Sequence, residues 1–243
     1  MHTINGHAIE LVAHRGANGL APENTRAAVE RCLNFGVDVI ELDVQRSVDG
    51  ELYNFHDRTL DRTTNGKGSL LLRRSKYVDT LDAGSWFSEQ FTGEPVPKIR
   101  DLITEFRGKL RFYLDIKSGS LRKIASLLRS SGIAEDTFVW FSSVQRERRF
   151  HRIAPEVALK VNVRSPEDIV SIALPRGARI VEISTDRLTP EIVEAAHRND
   201  LNVMINDQRG DYDDYRKMVD LKVDMINLDR PERFADFAAN AKE

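Results

Sequence analysis

The sequence predicts an α/β protein: a TIM (β/α)8 barrel with a small inserted subdomain after the second strand. Three observations lead there. Short apolar runs alternate with amphipathic segments almost from end to end, the pattern of a parallel sheet covered by helices. Eight such strand–helix units can be traced along the chain. The 243 residues match the about 250 that one closed barrel typically uses, which favours closure over an open sheet.

The first strand is expected at residues 10–13, followed by a helix at 25–35 with Asn24 as N-cap and Pro22 at the preceding turn. The second strand, 39–44, runs through an Asp49-Gly50 turn signal into a hairpin-like extension at 52–55. Residues 57 to about 95 break the alternation. They hold Asn65-Gly66-Lys67-Gly68, Trp86-Phe87 and Gly93-Glu94-Pro95, and read as an ordered insertion because the aromatics need somewhere to pack. Beyond it, strands are expected at 110–116, 137–141, 157–161, 179–183, 202–205 and 225–228. Helices at 99–107, 121–130, 144–153, 166–174, 190–199, 212–221 and 231–240 alternate with them. No repeat, low-complexity tract or Pro/Gly-rich linker marks a second domain, so 1–243 reads as a single barrel domain.

Composition narrows the function. Apolar residues at 41% suffice for a core, and 36 basic against 38 acidic residues leave a net charge of −2. That balance supports neither nucleic-acid binding nor membrane association. It leaves room for a small anionic substrate in a locally positive pocket. Cys32 is the only cysteine, which excludes an intramolecular disulfide and a Cys-rich zinc site. It reads as a packed core thiol. The N-terminus lacks a basic and apolar leader pattern, and no stretch approaches the ~18 apolar residues of a membrane span. The cytoplasm is the expected location, and a homo-oligomer stays open.

Active sites of such barrels lie at the C-terminal ends of the strands, so polar residues there carry information. In Val39-Ile40-Glu41-Leu42-Asp43-Val44-Gln45, the acids alternate with apolar residues and share one strand face. Glu41 and Asp43 therefore point into the barrel mouth. Two inward carboxylates need neutralising, by a divalent cation or by basic residues of neighbouring strands. In Phe112-Tyr113-Leu114-Asp115-Ile116-Lys117, Asp115 is a candidate third ligand and Lys117 a candidate anion holder; a plain Asp115–Lys117 pair is the alternative. The first strand ends in His14-Arg15-Gly16, and the hairpin extension ends in His56-Asp57. Two histidines at the mouth suit proton transfer near neutral pH. His2, His7, His151 and His197 lack this placement and read as surface or helix residues. Ser142, Asn162, Ser184, Asn206 and Asp229 follow the later strands, to bind hydroxyls or to cap helices, with capping expected for Ser184 and Asp229. Lys160 and Glu182 are expected to pair inside the barrel.

These motifs resemble the glycerophosphodiester phosphodiesterase family. The resemblance is carried by His14-Arg15-Gly16, Pro22-Glu23-Asn24-Thr25, Glu41-Leu42-Asp43-Val44 and His56-Asp57, then by residues 60–68 and 81–87. It is dense over 11–97 and looser through Asp115-Ile116-Lys117, Ser142-Ser143 and Asp229-Arg230-Pro231. It implies a TIM barrel and an enzyme that hydrolyses glycerophosphodiesters to glycerol 3-phosphate and an alcohol, with a place in lipid metabolism. It implies Mg²⁺ or Ca²⁺ held by Glu41, Asp43 and Asp115, and His14 and His56 as the acid/base pair. Arg15 and Lys117 would contact the phosphate, with Glu23 near the metal or the leaving part and Asn206 near the substrate. The chain departs from the family at Asp115, where Glu is usual, and at Val144, Met204-Ile205-Asn206 and Leu228. Those positions are expected to line the far side of the mouth and to alter the alcohol pocket. A sugar phosphodiester is the nearest alternative substrate, a lysophospholipid a more distant one.

Overall fold

The computed structural model describes residues 1–240. Eight parallel strands close into a barrel: β2 (His7–Ala13), β3 (Val39–Arg46), β5 (Arg111–Ile116), β6 (Phe138–Trp140), β7 (Ala158–Asn162), β8 (Ile180–Ser184), β9 (Asn202–Asp207) and β10 (Met225–Leu228). Pairing of β2 with both β3 and β10 completes the ring. Two short strands lie outside it, each antiparallel to a barrel strand: β1 (His2–Ile4) on β2 and β4 (Leu52–Asn54) on β3. The principal helices are α1 (Arg26–Cys32), α2 (Ser75–Val78), α3 (Ile99–Phe106), α4 (Leu121–Ser130), α5 (Val144–Ile153), α6 (Pro166–Asp168), α7 (Pro190–His197), α8 (Tyr212–Asp220) and α9 (Pro231–Asn240).

Apolar residues divide into three layers. Leu42, Val44, Leu114, Ile116 and their counterparts pack outward beneath the helices. Val12, Val39, Tyr113, Phe138, Ile180, Met204 and Met225 plug the barrel interior. Tyr53, Phe55, Leu60, Leu70, Val78, Leu81, Ala83 and Val96 form a separate core in the insertion, which is why that segment is ordered. Full burial of one such large side chain is worth about 1.5–3 kcal/mol. Among the described residues, no helix is long and apolar enough to cross a membrane. Cys32 is buried in the outer layer, as expected.

Four local expectations need correction. The chain opens with a hairpin: Asn5 and Gly6 sit at φ 51° and 76°, the positive values that a two-residue Asn-Gly turn requires. His2 and His7 therefore lie on strands, and their Nε2 atoms stand 3.1 and 2.8 Å from the Phe35 and Val223 carbonyl oxygens. Thr25, not Asn24, caps α1, its hydroxyl accepting from Ala28 N. The helix expected at 166–174 is three-residue α6 followed by a π turn at Ile169–Ala173 and a 3₁₀ turn at Leu174–Arg176. Pro175 lacks an N–H and crowds the preceding turn, so regular α geometry cannot continue through it. Among the departures from the family pattern, Met204 lies in the barrel plug and Leu228 is fully buried under the helices, so neither lines the mouth. Val144 is exposed on α5.

Candidate active site

Strand register assembles the site. Asp43 on β3 stands directly beside Asp115 on β5, and Glu41 is one inward step deeper, beside Tyr113. Ala13 on β2 is level with Leu228 on β10, so the next residues, His14 and Asp229, leave their strands together. The result is a polar cavity of about 260 Å³ in the barrel mouth, lined by His14, Arg15, Glu41, Asp43, His56, Asp115 and Lys117 among others. Asn162, Asn206 and Asn227 also line it, from β7, β9 and β10.

Glu41, Asp43 and Asp115 each offer a carboxylate oxygen within 4.8 Å of the others. All three residues are buried. Protein groups satisfy them unevenly. Asp43 accepts from Asn24 Nδ2 at 2.9 Å, and Lys117 Nζ lies 3.1 Å from its other oxygen. Lys117 also donates to Asp115 at 2.7 Å. Among the described residues, Glu41 Oε2 and Asp115 Oδ1, both buried, have no hydrogen-bond partner. Burial pushes the Glu41 carboxyl up to about 8, and repulsion from Asp43, Asp115 and Glu182 adds to it against partial relief from His14. Burial likewise raises Asp115, despite Lys117.

The two histidines are held alike. His14 Nδ1 is 2.6 Å from Asp229 Oδ1, which also accepts from Asn18 Nδ2 at 2.8 Å. His56 Nδ1 is 2.8 Å from Asp57 Oδ1. Each ring thus spends Nδ1 on a carboxylate and keeps Nε2 for the cavity. His14 Nε2 lies 3.5 Å from Glu41 Oε2. Burial opposes charge on the His14 ring, but Glu41 and Asp229 outweigh it and lift its pKa to about 9. Asp229 therefore orients His14, where capping was the expectation.

Loop geometry aims the rest. Arg15 takes a left-handed φ of 57°, with Gly16 at 86°. A Cβ on Gly16 would come within 2.6 Å of the Ala28 Cβ, so only glycine lets this turn lie against α1. Glu23 does not line the cavity. It bridges Arg15 Nη1 at 3.0 Å and Arg62 at 2.7 and 2.8 Å, and Arg62 in turn grips Asp57. Hydrogen bonds from Arg62 also hold the Asp57 pKa down. Gln45 Nε2 lies within hydrogen-bond distance of the carbonyl oxygens of Phe55, His56 and Asp57 at 2.9, 2.9 and 2.5 Å, anchoring the segment that carries His56. Asn54 accepts from Asp43 N at 2.8 Å and donates to the Asn24 carbonyl at 3.1 Å. These supporting residues had no distinct signal in the sequence beyond their nearness to the motifs. Lys160 and Glu182 pair at 2.5 Å, as expected.

A family model described as the glycerophosphoryl diester phosphodiesterase family matches residues 14–151. A glycerophosphodiester phosphodiesterase of Caldanaerobacter subterraneus subsp. tengcongensis is 32% identical, covering 91% of this chain and 94% of the relative. One from Bacillus altitudinis is 29% identical over 92% of this chain and 96% of its own length. The crystal structure of a glycerophosphodiester phosphodiesterase from Agrobacterium tumefaciens superposes with a TM-score of 0.90 at 39% identity, covering 94% of this chain and 99% of that one.

Proposed function

The chain belongs to the glycerophosphoryl diester phosphodiesterase family and is a phosphoric diester hydrolase, and on that premise we propose that it hydrolyses glycerophosphodiesters to glycerol 3-phosphate and an alcohol by metal-dependent, histidine-assisted chemistry. The observation that carries the reading is the set of three buried, converging carboxylates with two oxygens unspent. Oxygen donors of this kind suit Mg²⁺ or Ca²⁺. Glu41, Asp43 and Asp115 would hold the ion, and Asp115, though shorter than the usual Glu, reaches the same cluster. A bound divalent ion supplies Lewis-acid stabilisation of charge on phosphate oxygens.

The remaining roles belong to side chains. Arg15 and Lys117 place two permanent positive charges on the same cavity, where they stabilise the phosphoryl oxygens as charge builds. Lys117 also neutralises part of the acidic cluster, so the two readings of that residue hold together. His14 and His56 present Nε2, one to take the proton of the nucleophile and one to protonate the leaving alkoxide. Asp229 and Asp57 fix each ring by its Nδ1. Glu23 serves substrate binding indirectly, by holding Arg15 in place. Asn206 Oδ1 and Asn227 Oδ1 are buried acceptors without donors among the described residues, suited to substrate hydroxyls. Residues 57–95 and the barrel act as one catalytic domain, since His56 and Asp57 stand where they meet.

The test is turnover of a glycerophosphodiester with release of glycerol 3-phosphate, stimulated by Mg²⁺ or Ca²⁺ and lost on chelation. His14→Ala and His56→Ala should each cut kcat by about 10²–10⁴. Full activity in both variants, or equal activity in excess chelator, would overturn the mechanism.

A further inference from the structure

Away from the mouth, α4 and α5 enclose a groove of about 490 Å³ that gathers three arginines, Arg122, Arg146 and Arg149, and, among the described residues, no carboxylate. Three guanidinium groups in one groove repel unless something compensates them. Glu147, the one acid on α5, is buried and held by Arg176, with Nε 2.7 Å from its Oε1. Arg146 is fixed in place, its Nη2 donating to the Gly119 carbonyl at 3.1 Å. Its Nε is buried and has no acceptor among the described residues. Burial and the neighbouring Arg149 both disfavour the Arg146 charge. The protein thus holds a fixed cation with an unspent donor beside two further cations.

We propose that this groove is a binding site for a phosphate monoester, separate from the acidic mouth. The chemistry selects the class. A guanidinium fork matches the oxygens of phosphate, and a phosphate monoester brings close to two negative charges where a carboxylate brings one. The groove exceeds the size of bare phosphate, and Leu121 and Ile153 give it apolar walls for a small organic body. The ligand could be a soluble ester or a lipid headgroup; the shared feature is the dianionic phosphate. Gly119 lies two residues beyond Lys117, so an occupant would also rest against the loop that leaves the catalytic strand.

The test is an NMR titration of the full chain with inorganic phosphate and then glycerol 3-phosphate, following the amides of Gly119, Ser120 and Arg146. These should saturate along their own curve, distinct from that of residues around His14. Arg122→Gln/Arg149→Gln, both at exposed positions, should weaken that curve at least about tenfold. Phosphodiesterase turnover should be unchanged, which also shows that the variant is folded. Sedimentation with vesicles containing phosphatidic acid, against pure phosphatidylcholine, separates the two sources. Co-sedimentation lost in the variant assigns a lipid headgroup; solution binding without it assigns a soluble ester. If the amides stay unmoved and no vesicle binds, or if the variant behaves as the parent does, the site does not exist.

Discussion

Two walls of the barrel mouth bury carboxylates at similar depth and treat them differently. On the β7–β8 wall, Glu182 is paired with Lys160 at 2.5 Å, and Lys160 also reaches Asn162 Oδ1 at 2.9 Å. The Lys160 ammonium lies 5.2 and 5.0 Å from the Tyr113 and Trp140 ring centroids. On the β3–β5 wall, Lys117 is divided between Asp43 and Asp115, Arg15 lies near Asp43 and His14 near Glu41, and two buried oxygens accept no hydrogen bond among the described residues. A buried charge left unpaired costs several kcal/mol. The fold meets that demand internally on one wall and leaves it open on the other. The open wall lines the same cavity as both histidines, and its deficit supports the cation site proposed there.

The sharpest way to break this comparison is to remove one charge from each wall. Lys160→Met strands Glu182 as a buried anion, and breaking a buried pair in this way typically costs about 3–5 kcal/mol. Thermal or urea unfolding of the ion-free protein should show that loss. Glu41→Gln should act oppositely. The folded pKa of Glu41 is raised from 4.5 to about 8, so its contribution is fully present below the unfolded value and is lost progressively as pH rises from there to about 8. An amide removes the penalty, so the ion-free variant should gain on the parent increasingly across that interval and most above about pH 8, while losing turnover. Destabilisation of both variants alike would mean that the walls do not differ.

Asp229→Asn probes the next level. The carboxylate fixes the His14 ring and favours its charge. Outer partners of this kind are typically worth about 10–100-fold, and the loss should fall mainly on kcat. The pH profile should shift as well, because the His14 pKa, raised to about 9, loses one of its supports. An unchanged profile would reduce Asp229 to a structural role.

The barrel and the acidic wall were legible because both follow from strand periodicity. Glu41 and Asp43 alternate with apolar residues, and every residue on such a strand faces either the helices or the cavity. Asp115 was legible for the same reason. What stayed hidden depends on register between distant segments. Nothing local to Asp229 marks it as the partner of His14; only the pairing of β10 with β2 brings them level. Glu23 and Arg62 are 39 positions apart, and their bridge depends on how the insertion folds back. Asn24 carried a signal that was open to two uses. It looked like a cap, but a φ of 59° turns its amide toward Asp43 and leaves capping to Thr25. The N-terminal hairpin, by contrast, had a visible signal in Asn5-Gly6.

The smallest expected effect tests the cation site directly through protons. With the Glu41 pKa raised to about 8, a proton occupies the cluster at neutral pH when no ion is present. A divalent ion binds the deprotonated carboxylate, so proton and ion compete. Mg²⁺ or Ca²⁺ affinity should therefore fall about tenfold per pH unit below the Glu41 pKa and level off above it, one pKa unit being 1.36 kcal/mol. Calorimetric titration at pH 7 in two buffers of different ionisation enthalpy should report close to one proton released per ion. Glu41→Gln should abolish the release and flatten the slope, whereas Glu182→Gln removes only one smaller contribution to the Glu41 shift and should keep the release, with the levelling-off moved to lower pH. Proton release that survives Glu41→Gln would place the competing proton elsewhere, with His14 Nε2, 3.5 Å from Glu41, the group to examine next.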